Sequence, residues 1–215
     1  QCEALGTPCI SNFHPWQSYF FGRGATPDKP FKWTYAQALG METSIAGMLD
    51  MWSQVPNNKV VGLLWSNNSD GMAWANEKTG MPPALEAAGY TQVQPTLYQP
   101  GSEDYTAQIS AFKKAGCEIQ MGVASPPDFT NFWKQCLQQG YRPKIAGTVK
   151  AINTPYVLDT MGPAGYGLFS EVSWHPTYPF KDSLTGMTCR ELADEFEAVT
   201  GFQWSSMVGQ YAKIE

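Results

Sequence analysis

The chain has 215 residues, 43% hydrophobic and 13% aromatic, a composition that buries a sizeable core and excludes a disordered chain. A formal charge of -5, with only 15% charged residues, argues against nucleic acid or an anionic membrane surface as the main partner. There is no run of about 18 apolar residues, so direct membrane insertion is not expected.

In chain order, "TPCIS" (7–11) reads as the end of a buried strand, and "YAQALGMETSIAGMLDMWSQV" (35–55) as a long amphipathic helix running up to Pro56. From residue 59 strand and helix signals alternate. "KVVGLLW" is a continuous apolar run, as in a strand buried on both faces, and "MAWANEKTGMPPALEAAGY" is a helix broken at Gly80-Met81-Pro82-Pro83. "TQVQPTLY" is a weaker strand. "EDYTAQISAFKKAG" is an amphipathic helix with Tyr105, Ile109 and Phe112 on one face and Gly116 at its stop. "CEIQMGVA" is the third strand. "PDFTNFWKQCLQQG" is a proline-opened helix that buries Phe129, Phe132, Trp133, Cys136 and Leu137. "KIAGTVK" makes a fourth strand, "TPYVLDTMG" a short helix and "GYGLFSEVSW" a fifth strand.

This alternation predicts a parallel sheet with right-handed crossovers and helices on both faces, so residues 57–174 read as one nearly complete α/β domain. The flanks read as parts of a second. Residues 1–56 supply a strand and a helix, and residues 175–215 a proline-studded return, the helix "MTCRELADEFEAVTG" and the opening of another.

The start, "QCEALGTPCIS", lacks the charged residues and apolar stretch of a signal peptide. Five cysteines show neither a C-x-x-C nor a metal-ligand spacing, and their odd number excludes full internal pairing. Cys2 and Cys9 are near enough in sequence to bridge, and equally readable as free thiols. Cys117 and Cys136 sit in apolar settings, as core residues do.

In an open parallel sheet, ligands bind beyond the carboxyl ends of the strands. Those ends carry "SNNSDG" (66–71), Tyr98-Gln99, "ASPPDF" (124–129), "TVKAINT" (148–154) and "WHPTY" (174–178). They offer hydroxyls, amides, the cation of Lys150, the carboxylates of Asp70 and Asp128, and the ring of Trp174. A mixed polar and aromatic lining suits a small-molecule cleft. Loops at strand ends are polar in any case, so no single one of them is decisive. Trp16 and Trp174 are placed for stacking on a solute, whereas Trp74, Phe132 and Trp133 suit the core. No strand is followed by G-x-G-x-x-G, and the chain has no phosphate-binding P-loop and no G-x-S-x-G elbow. His14 and His175 are the only histidines, each followed by proline. No spacing supports a catalytic triad or a metal site. Catalysis and cofactors are therefore not expected.

The series from "KVVGLLW" through "GYTQVQPTLYQPGSEDYTAQISAFKKAGCEIQMGVASPPDFTNFWKQCLQQGYRPKIAG" resembles the second lobe of a type I periplasmic binding protein, in the branch of the leucine/isoleucine/valine-binding proteins. "PGSEDYTAQISAFKKAG" is similar to the stretch in which an acidic-aromatic pair opens a helix, and another helix closes at "GYRPK". The resemblance runs through "GYGLFSEVSWHPTYPF" and covers about residues 8 to 215 in order. It implies two doubly wound α/β lobes joined by crossover strands, with a small solute trapped between them, lobe two nearly complete and lobe one partial here. It also implies no chemistry on the solute, an extracytoplasmic or periplasmic location open to a lipid anchor in the full-length protein, and the membrane subunits of an ABC importer as partners.

For the site, the resemblance implies that the turn Ser11-Asn12-Phe13-His14-Pro15-Trp16 takes a ligand carboxylate on backbone N–H groups. Opposite it stand the turn at Ser69-Asp70, Ser125 and the loop Thr148-Val149-Lys150. Bulkier residues replace the small pair that amino-acid binders carry in the first turn, which favours an aromatic or amide-bearing solute. The rival readings are a cytoplasmic sensor of the same fold, and an α/β enzyme with its catalytic residues elsewhere.

Overall fold

The computed structural model describes residues 1–11 and 15–209. A short helix α1 (Cys2–Leu5) leads into strand β1 (Cys9–Ser11), and helix α2 (Trp16–Phe20) follows. Strand β2 (Thr34–Ala36) pairs in parallel with β1, Ile10 opposite Tyr35. The segment expected to be one helix from Tyr35 to Val55 is therefore a strand followed by helix α3 (Met41–Ser53). Pairing with β1 overrides the helical propensity of Ala36, Tyr35 being a residue that strands favour, and Gly40 in an extended conformation starts the helix. β1 is not the buried strand its composition suggests, since Ile10 is exposed.

The main sheet contains β3 (Val60–Trp65), β4 (Thr91–Val93), β5 (Ile119–Ala124), β6 (Ile145–Gly147), β7 (Val149–Lys150) and β8 (Leu168–Phe169). Its order is β4-β3-β5-β6-β8, with β7 paired to β5, and every pairing is parallel. Helices α4 (Ser69–Trp74), α5 (Pro82–Ala87), α6 (Thr106–Ala115), α7 (Pro126–Gln138) and α8 (Pro155–Met161) connect the strands, and α9 (Cys189–Thr200) follows them. The runs Val60–Leu64 and Ile119–Val123 lie at the centre of the sheet, as two-face burial requires.

Alternation along these strands divides the core in two. Val61, Leu63, Trp65, Ile119, Met121 and Val123 face a layer that holds Trp74, Met81 and Leu85. Leu64 and Ala124 face Tyr105, Ile109, Phe112, Phe129, Phe132 and Trp133 on the other side. Gly62 belongs to that second face. A Cβ there would lie 2.7 Å from the Phe112 ring, so glycine is what lets the ring approach the sheet. Cys117 and Cys136 are buried as read from the sequence.

Helix α3, read with the first 56 residues as part of the other lobe, packs into the first of these layers. Met41, Ile45, Met48 and Trp52 join that cluster, and Trp52 meets Tyr90 edge-on at 5.7 Å.

Several strands are shorter than the sequence suggests. Pro95 has no N–H to continue β4, and the ladder resumes only as a bridge between Ser66 and Tyr98. "KIAGTVK" is split at Thr148, whose N–H turns to the Phe169 carbonyl at 3.2 Å. β6 then ends at Gly147, and β8 loses its partner after Phe169. The fifth strand thus stops well before Trp174.

Candidate functional site

The loop after β3 is ordered by its own side chains. Asn68 caps α4, its Oδ1 accepting from Asp70 N at 3.1 Å, Gly71 N at 2.9 Å and the Ser66 hydroxyl at 3.0 Å. A Cβ at Gly71 would sit 2.0 Å from the Ser66 carbonyl, so only glycine allows α4 to start this close to the strand. The effect is to point Asp70 away from the loop. On the next strand but one, Ser125 caps α7, accepting from Asp128 N at 3.4 Å. Asp128 is buried and accepts from Gly101 N at 2.9 Å, tying the loop after β4 to α7.

These strand ends border a cavity of about 780 Å³. On one side stand Asp70, Trp74, Pro126, Val149, Lys150, Asn153, Thr154 and Tyr156. Thr43, Ser44, Gly47, Met48 and Met51 of α3 and the segment Phe169 through Ser173 also line it. Pro15, Ala38, Leu39, Tyr178, Ser206 and Met207 complete the wall. The lining is largely apolar, with a few convergent polar groups, as binding cavities for small organic molecules are.

Among the described residues, the charged ones lining the cavity are Asp70, Lys150 and Glu171. Lys150 Nζ donates to Asp70 Oδ2. Lys150 adopts φ 73°, the left-handed region that a residue with a Cβ seldom occupies, so its backbone holds local strain at the cavity edge. Burial pushes the Glu171 carboxyl above its ordinary value. A hydrogen bond from Ser44 pulls it down, the Asp70 charge pushes it up, and the Lys150 charge pulls it down.

Of the residues expected in the site, Asp70 and Lys150 line this cavity together, and Pro15 of the first turn lines it too. Asn12, Phe13 and His14 lie outside the described residues. Ser11 ends β1, and its carbonyl accepts from Gln37 N at 2.8 Å. Ser69 and Ser125 are exposed beside the cavity without lining it. Thr148 is fully buried, its hydroxyl directed at the carbonyls of Gly122 and Val149. Trp16 is also outside: its indole N–H donates to Glu42 Oε1 at 3.0 Å, which holds the Glu42 carboxyl below the usual range.

The placement of Trp174 as a stacking wall is corrected. It is 5% exposed and packs with Cys189, Ala193 and Trp204 in a separate small cluster. Since the strand ends at Phe169, the chain has already turned away when it reaches the tryptophan. His175 is a turn residue, its Nδ1 accepting from Thr177 N at 3.2 Å.

Sequence reasoning passed over Glu171 and the α3 face. The signal for Glu171 is the lone carboxylate in the strand-like run "GLFSEVSW". No comparable signal marks Ser44, Met48 and Met51. Among the described residues, no group of three His, Cys, Asp or Glu could hold a metal ion, and no helix is long and apolar enough to cross a membrane.

Parallel α/β topology, with a cavity past the carboxyl ends of the strands, matches the fold that the sequence resembles. A family model described as periplasmic binding protein matches residues 10–212, and the chain belongs to that family. Among solved structures it is similar to a leucine binding protein from Thermotoga maritima MSB8, with 15% identity and a TM-score of 0.75 over 99% of this chain and 57% of that one. It is also similar to a type 1 periplasmic binding protein from Bordetella pertussis Tohama I, with 16% identity, a TM-score of 0.72 and coverage of 96% and 55%. A branched-chain amino acid ABC transporter protein from Thermus thermophilus, with bound valine, aligns at 16% identity and TM-score 0.66, covering 94% and 48%. At these identities the likeness establishes the fold, and the chain spans about half the length of these structures. No curated protein matches it.

Proposed function

We propose that the protein is an extracytoplasmic receptor that captures a small organic solute and delivers it to the membrane subunits of an ABC importer, without altering the solute. The observation that carries this reading is the cavity at the carboxyl edge of the main sheet, apolar over most of its wall and charged at Asp70, Lys150 and Glu171. Family membership supports it, as do similar structures: one is described as leucine binding and one holds valine.

In this reading residues 57–174 together with α3 make one lobe, and the segments before α3 and at 175–215 contribute to the other. Pro15, Tyr178, Ser206 and Met207 are the far-side residues that reach the same cavity. A solute touching both sides stabilises the closed arrangement over the open one, because it makes contacts there that the open state lacks. Asp70 and Lys150 contact the solute, and Pro15 lines the same cavity.

Thermal-shift screening of the intact protein against amino acids, amides, amines and aromatic acids tests the proposal. A ligand at a hundredfold excess over its Kd adds about 2.7 kcal/mol to stability and raises the melting temperature accordingly. Recovery of the ligand with unchanged mass is expected. A chemically altered ligand, or no stabilising compound in any class, overturns the reading.

A further inference from the structure

The charges around the cavity do not cancel. Lys150 is engaged by Asp70. That leaves Glu171 as the charged lining residue without an ion pair among the described residues, although the more distant Lys150 charge still acts on it. Its carboxylate accepts a hydrogen bond from Ser44. Its Oε2 is buried and has no hydrogen-bond partner among the described residues. Buried polar atoms in folded proteins are almost always hydrogen-bonded, and one that is not marks a place where something is missing.

We propose that Glu171 is the subsite for a positively charged nitrogen of the solute, an ammonium or an amidinium, donating to Oε2. This rests on the receptor reading above and narrows its substrate class. Among the described residues, two carboxylates against one lysine leave the lining one negative charge in excess, and a monocation brings it to neutrality. An anionic solute would find the lysine already paired and two carboxylates repelling it. A neutral amide could donate to Oε2, but an ionised acceptor gains more from a charged donor in a poorly hydrated site. The carbon skeleton would lie along Met48, Trp74 and Phe169. Glu171 sits just past the end of β8, so this subsite is on the return segment and not on the loops after β3 or β5.

The test is calorimetric titration of the intact protein with probes that share a skeleton and differ in charge: benzylamine, benzamide and benzoate, and leucine against isocaproate. A wider panel of alkyl and aryl amines, each with its matched amide and carboxylate, is screened alongside. Cationic members should bind about tenfold tighter or more than their neutral partners, and the carboxylates should bind weakest. Glu171→Gln should erase the preference for the cation while keeping the affinity for the amide, which also shows that the variant is folded. Binders that are only neutral or anionic overturn this inference and leave the receptor standing. So does a Glu171→Gln variant that keeps the preference. A panel without any binder overturns both.

Discussion

Lys150 and Asp70, 80 residues apart in sequence, form an ion pair across the mouth of the cavity, one from the end of β7 and the other from the first turn of α4. The Lys150 side chain is 45% exposed and that of Asp70 17%. Solvent screens such a pair, so its contribution to stability is about 0 to 1 kcal/mol. Its larger effect is on the electrostatics of the lining. Asp70→Asn should shift the melting temperature little. It should weaken binding of a cationic solute by about fivefold or more, because the freed lysine opposes the incoming charge. Melting and titration on the one variant check this: a large loss of stability with unchanged affinity would contradict it.

The buried position of Trp174 leads to a prediction of the opposite kind. Its ring meets Trp204 edge-on at 5.9 Å and packs on Cys189 and Ala193. Trp174→Ala should cost about 3 to 5 kcal/mol and lower the melting temperature by several degrees. Affinity for the solute at a temperature where the variant is folded should stay within about twofold, since the ring does not line the cavity. A variant that melts like the parent but binds weakly would return the tryptophan to the site.

Asn68 is expected to matter through the backbone. Asn68→Ala removes the acceptor of Asp70 N and Gly71 N and should cost about 1 kcal/mol. Asn68→Asp keeps an acceptor at the start of a helix and should restore most of that loss. Chemical denaturation of the two variants distinguishes this from a role in contacting solute, in which case Asn68→Asp would recover stability without affinity.

Glu171 sets a pH dependence. Its folded-state pKa lies above the ordinary value of 4.5 because burial disfavours the charged form. The folded state therefore holds this proton more tightly than the unfolded chain. The unliganded protein loses stability as pH rises from the ordinary value through the raised one. The charged neighbours are Asp70 and Lys150, and Tyr156 and Tyr178 line the same cavity. Glu171→Gln should remove this loss, so without ligand the variant should melt higher than the parent at neutral pH and alike near about pH 4, where the unfolded carboxyl titrates. Parallel melting curves across the whole range would show that Glu171 carries no burial cost.

The sequence made the centre of the main sheet readable, because β3 and β5 are each apolar on both faces and only an interior strand tolerates that. The sheet's margins were less readable. How far β4, β6 and β8 extend depends on where their neighbours end, and β2 exists only because Cys9–Ser11 lies beside it. The site divides along the same line. Asp70 and Lys150 follow strands directly, so topology alone brings them to the carboxyl edge. Glu171 was hidden in a run that looked like strand but leaves the sheet after Phe169. The inner face of α3 was hidden because a helix shows from its pattern which side is apolar, not what lies opposite. Trp174 misled for a related reason: an aromatic ring near a strand end fits a cleft wall and a packed return segment equally well.

The loop from Ser66 to Asp70 has a further consequence. Its composition suggests five groups ready to meet a solute, yet most of its valence is already committed. Asn68 Oδ1 serves two amides and a hydroxyl, Asn67 N goes to the Tyr98 carbonyl at 2.7 Å, and Ser66 is 2% exposed. Of the five, only Asp70 reaches the cavity. If the protein is the receptor proposed above, the loop separates a frame from a reader. Retuning what it selects would then mean varying Asp70 with its partner Lys150 and keeping Ser66, Asn68 and Gly71 fixed, because altering those would move the reader instead of changing what it reads.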